Sequence, residues 1–394
     1  MGKVRYGIIG IGKMGHTHAQ KIKKGLDKNA TLTAVCDISE ERIKWAKQNL
    51  QGVKVVEDYK ELIAMPDVDA VVVATPHYLH PEIATHALNS GKHTLSEKPA
   101  GVYTKALAPL YKAAADHPEL TFGIMYNQRT NPLYKRAKDL IETGALGKLK
   151  RINWIITDWY RTQAYYDQGG WRGTWAGEGG GVLLNQSPHQ LDLFQWLAGM
   201  PTKVRGYAKV GVGRKINVEN DVTIYTEYAN GASGVFITST HDYPGTNRLE
   251  ITGDGGKIVI ESTLLGAKMI FNKLNKFESK FNAENKKFMP MRPIKITTYE
   301  YSTNILQKAI RWGIIGEHMY IFRNFSKAVL GKESLIAPGI EGINGLTLSN
   351  AAYLSTWLNK DIILPIDEDL FYTELQKRVE EEALITAGMT KNEH

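Results

Sequence analysis

Three short segments of this chain carry residue types that can do chemistry. The first is Gly10-Ile11-Gly12-Lys13-Met14-Gly15. Glycines at this spacing are common and mean little alone. Here they follow an apolar run, Val4 to Gly10, and open a segment that reads as a helix from Lys13 to Leu26. The next β-prone run, Thr31 to Cys36, is closed by an acid, Asp37. Strand, glycine turn, helix and acid in that order form a dinucleotide cradle. Gly10 permits the tight turn, Gly12 lets the backbone approach a pyrophosphate, and Gly15 lets helix and strand close up. Around Lys13 and Met14 the helix start offers free N–H groups to phosphate. Asp37 is placed to bond the adenosine ribose hydroxyls. A carboxylate there repels a 2′-phosphate, so NAD is expected over NADP. Arg42, assigned to the exposed face of the following helix, is near enough in sequence to soften that preference.

The second segment is Ser96-Glu97-Lys98-Pro99-Ala100 and the third is Gly179-Gly180-Gly181 through Asn185 and His189 to Asp192. A charged triplet such as Glu-Lys-Pro ordinarily sits in an exposed turn. This one follows an apolar strand, at the carboxyl end where doubly wound sheets bind ligands. Upstream, Ala74-Thr75-Pro76-His77 to His80 ends another apolar strand in the same way.

The elements that must position these residues follow from periodicity. The first third alternates strands and helices. Its strands read as Val53–Val56, Ala70–Ala74, His93–Ser96 and Thr121–Met125, besides the two already named. Ala70 to Ala74 is apolar throughout, as a parallel strand buried on both faces must be. After about Met125 the pattern changes. A helix near Pro132–Thr143 precedes long strand-like runs at Lys148–Trp159, Lys203–Val210, Asp221–Tyr228, Gly234–His241, Arg248–Gly253 and Lys257–Glu261. Asn230-Gly231 and Asp254-Gly255-Gly256 are turn signals joining neighbours. One helix, Gly181–Ala198, interrupts the strands, and helices return at Glu317–Leu330, Gly345–Leu358 and Asp367–Ala387. The expected fold is an α/β Rossmann domain, a doubly wound parallel sheet, over residues 1–125. An α+β domain with a large, mostly antiparallel open sheet follows over 126–394.

With 394 residues, 43% hydrophobic and 23% charged, the chain has the composition of an ordinary globular protein of about two domains. Its single cysteine excludes an internal disulfide and any multi-cysteine metal centre, and no metal is expected. No apolar run suggests a signal peptide or membrane span, so a cytoplasmic protein is expected, without a membrane partner. The net charge of +8 is spread along the chain and densest from Lys273 to Arg292, with Lys276, Lys280, Lys286 and Lys287 between. A solvated hairpin extension accounts for that patch, and no nucleic-acid partner is expected.

Taken with the N-terminal glycine loop, the Glu97-Lys98-Pro99 triplet and the Gly179–Asp192 segment make nearly the whole chain resemble the Gfo/Idh/MocA oxidoreductases. The Trp171-Arg172 pair adds to the likeness. The resemblance implies a nicotinamide-dependent dehydrogenase acting on a secondary hydroxyl of a sugar, glycoside or cyclitol. Lys98 would sit beside the reacting hydroxyl and the nicotinamide, and His189 would be a second acid–base group. Asn185 stands where the family motif usually has aspartate. An amide can orient a hydroxyl but cannot accept a proton, so the proton work falls on Lys98 and His189. An ordinary lysine, at about 10.4, is too basic for this; burial and a cationic ring nearby would lower it. Asp192 either orients His189 or is structural. Besides the glycine loop and Asp37, the cofactor would contact Thr75, Pro76, His80, Glu97, Lys98, Trp171 and Arg172. Tyr126, Arg129, Trp159 and Arg161 would join Lys98, Asn185 and His189 around the substrate.

Trp159, Tyr160, Tyr165, Tyr166, Trp171 and Trp175 make the stretch before the triple glycine unusually aromatic. Such rings stack on sugar or cyclitol faces; a core or a subunit interface would also use them. Two other functions stay open: a glycoside hydrolase acting by transient oxidation with bound NAD, and a non-catalytic dinucleotide sensor. The family also implies a homodimer or homotetramer.

Overall fold

The computed structural model describes residues 2–263, 266–286, 294–303 and 315–388. The chain forms two compact units. The first comprises Met1–Thr130, Ala176–Gly179 and Arg311–Leu346, and the second Asn131–Trp175, Gly180–Ile310 and Thr347–His394. The sequence places everything after residue 125 in one second domain. In the structure two later segments return to the first unit.

In the first unit, six strands form one parallel sheet: β1 (Val4–Ile9), β2 (Ala30–Cys36), β3 (Lys54–Val56), β4 (Ala70–Val73), β5 (His93–Ser96) and β6 (Phe122–Ile124). Their order is β3-β2-β1-β4-β5-β6, the Rossmann order in which connections reverse direction between β1 and β4. Every residue of β4 is buried, as its unbroken apolar run requires. Helices α1 (Lys13–Lys23), α2 (Glu40–Asn49), α3 (Tyr59–Ala64), α4 (His80–Asn89) and α5 (Ala108–Asp116) connect the strands. The returning helix His318–Val329 belongs with this sheet: Phe322 and Phe325 lie against Tyr6 of β1. Ser326 Oγ bonds the Tyr6 hydroxyl at 2.7 Å and Asp27 Oδ2 at 2.6 Å. Its amphipathic spacing is legible in sequence, but its partner, some three hundred residues earlier, is not.

The second unit is built on a nine-stranded sheet: β7 (Leu149–Ile156), β8 (Lys203–Val210), β9 (Glu219–Glu227), β10 (Ser233–Ser239), β11 (Asn247–Gly253), β12 (Gly256–Thr263), β13 (Gly266–Leu274), β14 (Ile296–Ser302) and β15 (Ile362–Ile363). The order is β14-β13-β12-β11-β7-β10-β9-β8-β15. Among the described residues of this sheet, only β7 and β10 pair in parallel. Asn230-Gly231 turns β9 into β10, and Asp254-Gly255 turns β11 into β12. The last three strands were not anticipated. β13 carries two lysines, β14 two threonines, and β15 has two residues. Helices α6 (Pro132–Glu142) and α7 (Pro188–Ala198) supply Tyr134 and Phe194 to a core around Trp154 and Phe236. The helix Glu368–Thr386 packs within its own unit, Phe371 stacking on Trp357. In the lysine-rich stretch, Lys276 pairs with Glu284 on a short helix, Glu278–Glu284. Lys287 and Arg292 lie outside the described residues. Among the described residues, no helix is long and apolar enough to cross a membrane.

Candidate active site

The predicted residues fall into one set in each unit. In the first, Gly10 has φ +85°, and a Cβ there would lie 2.6 Å from Ala74 O. A Cβ on Gly15 would lie 1.8 Å from Gly10 O. No side chain larger than hydrogen fits at Gly15, so α1 sits directly on the turn. The N-cap of α1 is Gly12, with no side-chain cap and no acid in the first turn. The N–H groups at Lys13 and Met14 therefore remain available to an anion. Thr75 Oγ1, after β4, is buried without a hydrogen-bond partner among the described residues. An uncapped helix start beside an orphan hydroxyl suits a dinucleotide whose phosphates and ribose supply acceptors and donors.

Asp37 is buried, and its carboxylate accepts from Ile11 N at 2.8 Å and from Ser39 N at 2.9 Å. It thus fixes the glycine loop from below, a task the sequence does not reveal. Arg42 is half exposed, as expected, yet its guanidinium turns back to within 3.4 Å of Asp37 and lies over Gly12. Ile38, beside Asp37, is 90% exposed. It is an apolar side chain displayed at the end of this strand, which sequence reasoning did not single out.

Lys98 follows β5 and is partly buried. The residues beside it are bonded to one another. Glu97 Oε1 accepts from His18 Nε2 at 2.7 Å, and its Oε2 faces Lys98 N at 3.2 Å. Burial opposes ionisation of Glu97. The bond and charge of His18, with smaller contributions from His318 and Lys98, overrule it and draw the carboxyl down to about 2. Burial likewise takes His318 down to about 4. Glu97, expected at the cofactor, is buried against His18. His18 itself was missed. It shares the buried face of α1 with Gly15, Ala19 and Ile22, where a polar side chain among small and apolar ones is the only sequence signal.

His80 was also expected at the cofactor. It is buried, with Nδ1 2.7 Å from Pro99 O and Nε2 2.8 Å from Thr75 O. A neutral ring donates to one of these carbonyls, and burial lowers its pKa against their pull. It thereby links the segments that follow β4 and β5. Pro76 is exposed at the first of them. Tyr126 and Arg129 are buried, and Arg129 is paired with Glu341 while its guanidinium lies over the Tyr126 ring. Both were expected around the substrate; in the structure they follow β6 and pack against one another. A salt bridge to an acid 212 residues away has no local signal.

In the second unit, Asn185 was expected on a helix with His189. The helix starts only at Pro188, and Asn185 lies in the preceding turn. Proline is readily placed in a first helical turn but not further in, and the glycines before it favour a turn. Asn185 N bonds Gly181 O at 2.9 Å. Glu219 of β9 holds this turn: its carboxylate accepts from Gly181 N at 2.8 Å, Leu183 N at 2.9 Å and the Tyr353 hydroxyl at 2.7 Å. Burial pushes Glu219 up to about 7 against those three donors. A Cβ on Gly181 would lie 1.9 Å from Glu219 O. His189, partly buried, sits in the first turn of α7. Asp192 is fully buried and accepts from Gln195 at 3.0 Å.

The aromatic stretch converges on one hydroxyl. Tyr165 Oη is approached by Arg172 Nη1 at 2.8 Å, Gln186 Nε2 at 3.1 Å and Asn185 Nδ2 at 3.3 Å. The Arg161 and Arg172 guanidinium carbons lie 5.0 and 4.9 Å from the Tyr165 ring, and Arg172 is 4.5 Å from Trp171. Trp171 and Arg172 were expected at the cofactor; within this unit they are joined to Asn185 through Tyr165. Trp175 is buried in an aromatic group with Tyr353 and Trp357. Among the described residues, no group of three or more His, Cys, Asp or Glu could hold a metal ion.

Residues 4–123 match the model of the oxidoreductase family with an NAD-binding Rossmann fold, and 134–259 match the GFO/IDH/MocA C-terminal domain. The myo-inositol 2-dehydrogenase of Thermotoga maritima is 25% identical over 303 residues, covering 73% of this chain and 87% of that protein. The scyllo-inositol 2-dehydrogenase (NAD(+)) of Bacillus subtilis is 28% identical over 300 residues, 71% of this chain and 82% of that one. Among solved structures, the WlbA dehydrogenase of Bordetella pertussis, in complex with NADH and UDP-GlcNAcA, superposes with a TM-score of 0.73. It is 25% identical and covers 93% of this chain and all of its own. With a Rossmann sheet in the expected order, a glycine loop that admits no side chain at Gly15, and both halves of the family matched, this chain belongs to the GFO/IDH/MocA family of NAD-binding oxidoreductases.

Proposed function

We propose that the protein is an NAD-linked dehydrogenase that oxidises a secondary hydroxyl of a sugar, glycoside or cyclitol. The observation that carries this reading is Lys98, placed after β5 of a dinucleotide-binding sheet and flanked by Glu97, which His18 locks in place. The relatives named above as inositol dehydrogenases point to the same substrate class. Nicotinamide, when bound, accepts the hydride. The hydroxyl proton goes to a base, for which we assign Lys98, with His189 as a second acid–base group and Asn185 as an orienting amide. In the reverse direction the Lys98 ammonium returns the proton. Thr75, the N–H groups at Lys13 and Met14, and Asp37 are assigned to the dinucleotide, with Ile38 against its adenine. Asp37 favours NAD over NADP; the nearness of Arg42 makes the discrimination partial.

The test is absorbance at the reduced-cofactor band with purified protein, NAD⁺ or NADP⁺ and a panel of inositols, aldoses, uronates and glycosides. Steady NADH formation that Lys98→Ala abolishes is the expected result. Release of aglycone without accumulating NADH would replace this reading with a hydrolase. We also propose a homo-oligomer formed through the open sheet, which displays Ile155, Tyr207 and Tyr225 on exposed positions. A monomer by light scattering would remove that proposal.

A further inference from the structure

We infer that the substrate carries an anionic group, a carboxylate or a phosphate, and that Arg161 and Arg214 bind it. This rests on the reading that Asn185 and His189 serve the substrate, and it names that substrate's chemical class.

Three buried donor atoms in one part of the second unit have no hydrogen-bond partner among the described residues: Trp159 Nε1, Arg161 Nε and Arg214 Nη2. All three only donate. Arg161 and Arg214 are joined, since Arg214 Nε donates to Arg161 O at 2.6 Å, and Trp159 stands two residues before Arg161 in the chain. Buried donors left unpaired are unfavourable, and native structures leave few. Three at one place call for an acceptor-rich partner.

The charges agree. The remaining bonds of Arg161 and Arg214 go to the backbone carbonyls of Tyr160 and Gly213, and among the described residues no carboxylate pairs with either guanidinium. Acids nearby in sequence are otherwise engaged: Asp158 accepts from Asn247 at 3.3 Å and Asp167 from Gln163 at 2.9 Å. Arg161 and Arg172 lie over the same Tyr165 ring, so like charges are gathered. Gathering cations is costly unless an anion is shared among them, and a guanidinium matches a carboxylate or phosphate in planar, two-pronged geometry. The Tyr165 hydroxyl in turn accepts from Asn185, so the basic cluster adjoins the turn assigned to the substrate.

The test is isothermal titration of the protein saturated with NADH, using D-glucuronate, D-glucose and inorganic phosphate as probes. Parallel titrations use Arg161→Gln, Arg161→Lys and Arg214→Gln, with NADH affinity and melting temperature reporting folding. We expect D-glucuronate to bind at least tenfold more tightly than D-glucose, and Arg161→Gln or Arg214→Gln to erase the difference. Arg161→Lys, which keeps the charge and loses the fork, should recover part of it. Arginine-dependent phosphate binding with no preference for glucuronate would assign the same site to a phosphorylated substrate. The inference is overturned if neither anion is preferred, if the preference survives the folded arginine variants, or if a parallel titration of the cofactor-free protein shows arginine-dependent phosphate binding that NADH abolishes, which would give the cluster to the cofactor's pyrophosphate. Anion binding with no NADH formation from any sugar would instead sink the dehydrogenase reading and leave the anion site standing. NADH formed from neutral sugars with no anion preference would do the reverse.

Discussion

The two sets of site residues differ in how complete they are. Around Lys98, polar groups are closed on one another: His18 holds Glu97, and His80 spans Thr75 and Pro99. Around Tyr165, donors predominate, and Trp159 Nε1, Arg161 Nε and Arg214 Nη2 have no partner among the described residues. The first arrangement fixes geometry before any ligand arrives, because its charges are already compensated in the interior. On our reading the second is finished only by a ligand that supplies acceptors. The contrast is not absolute, since His18 Nδ1 and Thr75 Oγ1 also lack partners among the described residues. Those are single atoms in a satisfied frame, whereas the second set is a group of like donors.

The largest effect that tests this comparison is chemical. Lys98→Ala should lower kcat/KM by about three to four orders of magnitude, toward the upper range for loss of acid–base catalysis, with NADH affinity changed by less than about threefold. A comparable loss of NADH affinity would make Lys98 a binding residue. The next concerns the rigidity of the frame. Gly15→Ala places a methyl 1.8 Å from a backbone oxygen, which only a shift of α1 relieves. It should cost about 3 kcal/mol of stability, at the upper end for overpacking, and abolish NADH binding; denaturant unfolding and fluorescence titration measure both.

The pH dependence of the frame follows from Glu97. Its folded-state carboxyl lies at about 2 against an ordinary 4.5. Between those values the unfolded chain binds the proton and the folded one does not, so the stabilisation is present above 4.5 and lost as pH falls toward 2. The amount is at most about 3 kcal/mol. His18→Gln keeps a donor to Glu97 and removes the charge, so it should flatten this acid limb in denaturant unfolding followed from pH 6 to 2. His318, taken down to about 4, adds a loss of its own between its ordinary 6.5 and that value, so the effect is read as variant minus parent. An unchanged limb would show that His18 contributes shape alone. The smallest effect belongs to the second set. Tyr353→Phe removes one of the three donors to Glu219 and should cost about 1.5 kcal/mol. Because Glu219 holds the Asn185 turn, kcat should fall severalfold with KM little changed; a change in KM alone would place Asn185 in binding only.

Much of the frame was legible in the sequence because its signals are local. Gly10, Gly12 and Gly15 lie between a strand and a helix, and the apolar AVVV run of β4 can only be a buried parallel strand. The expected helix at 181–198 was too long because apolar residues within it hid what Pro188 and the preceding glycines do to the backbone. β13 and β14 were missed because Lys268, Asn272 and Lys273 in one, and Thr297, Thr298, Glu300 and Ser302 in the other, interrupt the apolar alternation. Among the site residues, the positions of Lys98 and Asp37 were readable; the tasks of Asp37, Glu97, His80 and Arg129 were not, because each is set by the atom it meets.

The sequence by itself determined the class of fold, the dinucleotide loop and the strand end that carries Lys98, since turn chemistry and strand periodicity act over a few residues. Only the tertiary structure decided which groups compensate one another. His18 reaches Glu97 across 79 residues, Glu219 reaches Gly181 across 38, and Arg214 reaches Arg161 across 53. Hydrogen bonds are short and directional, so those partners exist only once the sheets have set their register and brought distant strand ends within about 3 Å.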